Sequence, residues 1–143
     1  MITILNHPTA PFLQATIGGA NVTLTISYRV RFDQIDRHFA ANGVSYRERI
    51  TVMGRDNPPV DPNDVLFFQE FPSPGWVAGA GPQIQTRVQT ITVPRANLQE
   101  DPGVDNDELF CTILVRSRNF PTVSNTTSVI PATRDTNQVV LAG

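Results

Sequence analysis

Apolar and polar residues alternate without a break from Val22 to Phe32. The apolar positions are Val22, Leu24, Ile26, Tyr28, Val30 and Phe32, and the polar ones are Thr23, Thr25, Ser27, Arg29 and Arg31. Because successive side chains of a β-strand point to opposite faces, this pattern predicts a strand with one buried and one solvated face. One-sided strands of this kind are typical of antiparallel sheets, since parallel sheets are covered on both faces.

Similar strand patterns recur at short spacing between turn residues. They cover Ile2 to Leu5, Phe12 to Ile17, Val44 to Val52, Val65 to Phe71, Gln83 to Val93, Leu109 to Val115, Val123 to Ile130 and Gln138 to Leu141. One helical turn is predicted within Asp33 to Asn42. Within Gln83 to Val93 the apolar residues change from even to odd positions, which predicts a β-bulge near Gln89 or Thr90.

Together these patterns predict an all-β fold. We expect a single antiparallel β-sandwich domain over residues 1–143, immunoglobulin-like, with seven to nine strands. A jelly roll would produce similar alternation, so the strand order stays open at this stage.

The composition excludes several classes of protein. The net charge is −2, and all eleven basic residues are Arg, so bulk charge does not indicate a nucleic-acid binder. The single cysteine, Cys111, excludes an internal disulfide and a Cys-rich metal site. Neither a signal peptide nor a membrane span is recognisable. The compartment is therefore unknown, with the cytoplasm as the default expectation.

The last third of the chain resembles the final two strands of a fibronectin type III or related immunoglobulin-like domain. The residues that carry the resemblance are Leu98, the acidic stretch Gln99 to Glu108, Phe110, Cys111, Ile113, Val115, Arg116, Ser117, Arg118, Asn119, Ser124, Asn125, Ser128, Val129 and Pro131. In that family a Leu begins the corner before the penultimate strand, and a Ser-Asn pair begins the final strand. The resemblance implies a fold and no catalytic residues, because such sandwiches host many functions.

Three Arg-x-Arg pairs are the first candidate binding groups: Arg29 and Arg31, Arg47 and Arg49, Arg116 and Arg118. Residues two apart on a strand share a face, so each pair presents two guanidinium groups on one side of a sheet. If the last two pairs share a sheet, four guanidinium groups converge on a phosphate, sulfate or carboxylate partner. The alternative is an ordinary solvated face, paired with Glu48 or Asp33.

Two acid-rich loops and one tryptophan are the other candidate ligand groups. The carboxylates considered as calcium ligands are Asp61, Asp64, Asp101, Asp105 and Asp107. Calcium prefers six to eight oxygen ligands, and clustered loop carboxylates could supply some of them. The alternative, which the missing EF-hand spacing favours, is that these Asp residues simply form turns. Trp76 lies in the Pro- and Gly-rich loop from Pro72 to Pro82. It either stacks on a sugar or a partner protein, or packs back against the end of the sandwich.

Few residues are suited to catalysis. His7 and His38 are the only near-neutral bases, and neither lies in a recognisable arrangement with a nucleophile. Cys111 shares a strand face with Leu109 and Ile113, which predicts a buried and unreactive thiol.

We therefore expect a non-enzymatic binding or structural module without a cofactor, recognising a protein partner or forming a homo-oligomer. A calcium-stabilised or carbohydrate-binding module and an enzyme with a loop-borne active site remain the alternatives.

Overall fold

The computed structural model describes residues 2–54, 64–72, 83–98, 107–117 and 132–141. These residues form nine strands and one α-helix: β1 Thr3–Asn6, β2 Leu13–Gly18, β3 Asn21–Phe32, α1 Gln34–Ala41, β4 Tyr46–Gly54, β5 Asp64–Pro72, β6 Gln83–Pro94, β7 Asp107–Ser117, β8 Ala132–Asp135 and β9 Val139–Leu141. One turn of 3₁₀ helix, Arg95–Asn97, follows β6.

The strands form two antiparallel sheets. In sheet A, β6 pairs along the whole length of β3, while β1 and β2 follow one another along the other edge of β3. In sheet B, β5, β4 and β7 are successive neighbours, and β8 and β9 follow one another along the far edge of β7. The chain crosses from one sheet to the other after β3, after β5 and after β6. This arrangement confirms the predicted immunoglobulin-like β-sandwich.

The core lies between the sheets and is built by strand alternation. The even-numbered residues of β3 from Val22 to Phe32 are at most 1% exposed, as the sequence pattern predicts. Opposite them, Leu109, Cys111, Ile113 and Val115 of β7 are fully buried. Burying each such apolar side chain contributes about 1.5–3 kcal/mol before conformational entropy is counted. The long alternating strands therefore supply most of the drive for the sheets to pack.

The helix α1 carries the chain from sheet A to sheet B. Asp33 and Asp36 form a capping box, in which the backbone N–H of Asp33 donates to Asp36 Oδ2 at 3.2 Å. Such reciprocal bonds satisfy N–H groups that have no partner within the helix. The helix is followed by Gly43 at φ +97°, a conformation that favours glycine. The predicted helical turn is thus present and is longer than expected. No helix in the described ranges is long and apolar enough to cross a membrane.

The predicted β-bulge in β6 is wrong. β6 pairs with β3 without a register shift, from Asn21 opposite Pro94 to Phe32 opposite Gln83. The inward-facing side chains of β6 are therefore Gln83, Gln85, Arg87, Gln89, Ile91 and Val93. The apolar residues change parity because this end of the interior contains a polar group, described below. A register shift occurs instead between β4 and β5, at Val52 and Met53.

The edges of the two sheets that carry the terminal strands are joined by side chains. The Asn137 amide accepts a hydrogen bond from the Leu13 N–H at 2.9 Å and donates to the Leu13 carbonyl at 3.2 Å. Arg134 Nη1 donates to the Ile4 carbonyl at 2.9 Å, and its guanidinium lies 5.1 Å from the centre of the Phe12 ring. Side chains at the edge of sheet B thereby satisfy backbone groups at the edge of sheet A.

Candidate functional site

Three of the predicted arginines lie together on the outer face of sheet B. Arg47 of β4 is the direct cross-strand partner of Arg116 of β7. Arg49 lies two residues further along β4 and therefore on the same face. Glu70 of β5 is paired opposite Arg49. Strand register thus brings one carboxylate and three guanidinium groups together from three neighbouring strands.

Glu70 accepts hydrogen bonds from all three arginines. Arg49 donates to Oε1 through Nε at 3.1 Å and through Nη2 at 2.9 Å. Arg116 Nη2 also donates to Oε1, at 2.9 Å, and Arg47 Nη1 donates to Oε2 at 3.3 Å. We call the surface formed by Arg47, Arg49, Arg116 and Glu70 the arginine face. It has a local excess of positive charge, because three positive charges share one negative charge. The hydrogen bond from Arg116, with those from Arg49 and Arg47, holds the pKa of the Glu70 carboxyl below its usual range.

The arginine face is accessible to a partner. The three arginine side chains are 31–37% exposed, whereas Glu70 between them is 22% exposed. Phe68 is 58% exposed, and the Arg49 guanidinium lies 5.2 Å from the centre of its ring. An aromatic side chain beside anchored guanidinium groups is the kind of composition that is enriched at protein interfaces.

The other predicted arginines lie elsewhere. Arg29 and Arg31 are on the outer face of sheet A, on the opposite side of the sandwich. Arg29 Nε donates to the Asn6 carbonyl at 2.7 Å, and Arg31 Nε lies 3.5 Å from Asp33 Oδ1. Arg118 lies outside the described residues. The three Arg-x-Arg pairs are therefore not one site, and only residues 47, 49 and 116 are seen to converge.

The predicted calcium ligands and Trp76 are only partly covered by the structure. Asp61, Asp101, Asp105 and Trp76 lie outside the described residues. Of Asp64 and Asp107 the structure describes only the backbone. They begin β5 and β7, the two strands that flank the end of β4. Within the described ranges, no three His, Cys, Asp or Glu side chains lie close enough to hold a metal ion. Calcium binding stays a prediction.

A second polar group lies inside the sandwich and was not predicted from the sequence. Glu48 of β4 is 1% exposed and points between the sheets. Arg87 of β6 donates to it through Nε at 3.1 and 3.0 Å and through Nη2 at 2.7 Å. The Tyr28 hydroxyl of β3 donates to Glu48 Oε1. This buried triad joins sheet A to sheet B through charge-assisted hydrogen bonds.

The expectation that Glu48 pairs with the outward arginines is therefore wrong. Glu48 shares strand parity with Tyr46, Ile50 and Val52, all of which are buried. The same parity, read from the sequence, places the carboxylate inside the fold. Burial and the neighbouring Glu48 charge raise the pKa of Tyr28 well above its usual range. Tyr28 is thus a neutral hydrogen-bond donor throughout the physiological range.

The residues considered for catalysis either have structural hydrogen-bond partners, lie beside a single described carboxylate, or are buried. His7 Nδ1 accepts hydrogen bonds from the backbone N–H groups of Thr9 and Ala10, at 3.1 and 2.9 Å. The depression beside His7, of about 430 Å³, contains one carboxylate, Asp135, among its described lining residues. The depression beside His38 likewise contains one, Asp33. Burial raises the pKa of the Cys111 thiol to about 12, as expected for an unreactive thiol.

Comparisons with known proteins support the fold. No protein-family model matches the chain, and no curated protein matches it in sequence. Among solved structures, the chain is similar to a bacterial adhesin from Mobiluncus mulieris that contains intramolecular disulfide, isopeptide and ester bond cross-links. The TM-score is 0.56 at 10% sequence identity, and the match covers 99% of this chain and 57% of the adhesin chain. This likeness establishes a β-sandwich and does not single out a fibronectin type III domain.

Proposed function

We propose that this chain is a non-enzymatic adhesion or structural module that binds an acidic protein surface through the arginine face of sheet B. The observation that carries the proposal is the sharing of Glu70 by Arg47, Arg49 and Arg116. The shared carboxylate holds the three arginine side chains in place. These side chains therefore lose little additional entropy when a partner binds. Two further carboxylates from a partner would balance the local charge.

A protein partner fits this face better than a small molecule does. The arginines lie on a sheet face and not in a deep cleft, and small-molecule sites are usually concave. Arg47 and Arg116 each use one guanidinium nitrogen on Glu70, which leaves donors for bidentate contacts with other carboxylates. The exposed Phe68 adds apolar contact area beside them.

The similarity to an adhesin supports a structural role. This chain differs from the adhesin in the cross-links that its residues can form. An isopeptide bond between side chains needs a side-chain amine, and these 143 residues contain no Lys. The single Cys also excludes an intramolecular disulfide within them. Neither of these two cross-links can therefore form within the 143 residues, and among noncovalent ties between the sheets the buried triad is the strongest candidate for a mechanical role.

The proposal is tested with a fluorescein-labelled deca-glutamate peptide as the acidic probe. We expect binding by fluorescence anisotropy that weakens as NaCl is raised, because exposed charges are screened. Arg47→Gln/Arg116→Gln is expected to weaken binding by roughly tenfold or more, since each lost bidentate contact costs on the order of 1 kcal/mol. The matched control is Arg29→Gln/Arg31→Gln, which removes the same charge from sheet A.

Two outcomes would contradict the proposal. If both double variants lose binding equally, the probe responds to net charge and not to the arginine face. If neither variant loses binding, the probe binds elsewhere. Circular dichroism of both variants checks that their folded structure is retained.

A further inference from the structure

β6 forms the edge of sheet A, and its pairing on the other side is complete. It pairs with β3 from Gln83 to Pro94. Within the described residues, no strand lies against its second edge. The Arg95 N–H donates to the Ala20 carbonyl at 2.8 Å, which fixes the alternation of the ladder. Odd-numbered residues of β6 therefore bond to β3, and even-numbered ones direct their N–H and C=O groups to the outer edge.

From Ile84 to Thr92, the outer edge of β6 has no outward charge, proline or bulge that would prevent another strand from pairing. Proteins protect edge strands with charged side chains, prolines and β-bulges. The even-numbered residues of β6 are Ile84, Thr86, Val88, Thr90, Thr92 and the terminal Pro94, with no charge among them. Their register with β3 contains no bulge.

β5, the corresponding edge of sheet B, has two protective features that β6 does not have. It carries the charged Glu70 on its outward face and has a register shift opposite Val52 and Met53, whereas both strands end at a proline. The contrast between the two edges indicates that β6 is suited to pairing with another strand.

We propose that the outer edge of β6 pairs with β6 of a second copy of this chain, in antiparallel register about Val88. A twofold axis would place Val88 opposite Val88 and Thr86 opposite Thr90. All of these outward side chains favour strands, and opposed Thr or β-branched residues stabilise antiparallel pairs. The two copies of sheet A would then form one continuous sheet with an isologous interface.

Charge also favours a second copy as the occupant. The only charged side chain of β6 is Arg87, and it points inward to Glu48. In the Val88 register Arg87 lies opposite Gln89 of the other copy, so two like charges are not opposed. An edge without net charge offers nothing to attract a strongly charged peptide. It is compatible with an identical, equally neutral strand.

The first test is sedimentation equilibrium of the full chain over a range of concentrations. We expect the natural sequence to dimerise reversibly. Val88→Pro removes an N–H that faces the outer edge, and proline is tolerated at such edge positions. This variant should weaken the dimer by roughly tenfold or more, because one hydrogen bond is lost from each copy. Val88→Thr, which keeps the N–H and the strand preference, should leave the dimer intact.

The second test fixes the register by cross-linking in a Cys111→Ala background. Val88→Cys should give covalent dimers with bismaleimidoethane, since the twofold axis passes between two directly opposed thiols. Thr92→Cys is the matched control. In the proposed register its two thiols are roughly 27 Å apart, beyond the reach of this reagent. Equal cross-linking of both variants would overturn the proposed register.

Three results would overturn the pairing itself. A monomer at every concentration, a dimer unaffected by Val88→Pro, or concentration-independent hydrogen-exchange protection of the Thr86, Val88 and Thr90 amides would each do so. The last result would mean that another segment of the same chain covers the edge. The inference does not depend on the arginine face, because Arg47→Gln/Arg116→Gln should remain dimeric.

Discussion

Neutralising Glu48 tests whether the buried triad is the main polar tie between the sheets. The variant Glu48→Gln keeps the shape of the side chain and removes its charge. It leaves the Arg87 guanidinium, which is 16% exposed, beside a neutral amide. The Tyr28 hydroxyl can still donate to the amide oxygen. The change therefore isolates the loss of the charge-assisted bonds.

We expect Glu48→Gln to lower the free energy of unfolding by about 3 kcal/mol. Removing one partner of a buried ion pair costs about 3–5 kcal/mol, because the other charge stays buried without compensation. Partial exposure of Arg87 places the expected loss at the lower end of that range. Arg87→Met should cost more, since the carboxylate it leaves behind is only 1% exposed.

The measurement is urea denaturation followed by far-ultraviolet circular dichroism, with the slope of the transition checked for each variant. The double variant Glu48→Gln/Arg87→Met completes a double-mutant cycle. It should cost at least about 1.5 kcal/mol less than the sum of the single variants, since residues in one network couple. Glu70→Gln on the arginine face is the matched control. We expect it to cost below about 1 kcal/mol because its ion pairs are solvated.

The reasoning fails if Glu48→Gln costs less than about 1 kcal/mol or if the single losses add without coupling. Tyr28→Phe provides a milder variant for the case in which the others do not fold. It removes one hydrogen bond to a charged group and should cost about 1.5–3 kcal/mol.

Two further predictions concern alkaline pH and the joined sheet edges. Burial raises the pKa of Cys111 from 9.0 to about 12, so the unfolded state loses this proton first and stability should fall as pH rises above 9. The slope from Cys111 alone should reach about 1.4 kcal/mol per pH unit, and Cys111→Ala should reduce the loss between pH 9 and 10. The buried tyrosines, whose pKa values are also raised, account for the remainder. A loss as large in Cys111→Ala as in the natural sequence would refute the role of this thiol. Asn137→Ala should cost about 1–3 kcal/mol in thermal denaturation, because it leaves the buried Leu13 N–H without a partner. The exposed Asn42→Ala is its control, and equal losses in the two variants would refute this role.

The alternation in the sequence was sufficient to predict the sandwich and its core. The pattern of β3 defines which side chains are buried, and Cys111 is buried with its strand neighbours as expected. Parity on β4 also indicates that Glu48 is buried, in contrast to the expected pairing of this residue with the outward arginines. The apparent break in β6 had the same cause. Arg87 faces inward because Glu48 is there, and no bulge is needed.

Other features depend on contacts between distant strands and leave no local signal. Arg87 is 39 residues from Glu48 in sequence, and their contact follows from the packing of one sheet on the other. Glu70 is likewise 46 residues from Arg116. Their contact requires β4 to separate β5 from β7. Only the strand order, which the alternation leaves open, brings these groups together.

The placement of β1 and β9 has a mechanical consequence. Thr3 pairs with Arg31 near the end of β3, and Leu141 pairs with Asp107 at the start of β7. The Phe32 ring contacts Tyr46, which shows that these two positions lie at opposite ends of the sandwich. A force applied between Thr3 and Leu141 therefore acts along the strands and loads their hydrogen bonds together in shear. It does not peel the bonds apart one by one, so the fold resists tension along the chain.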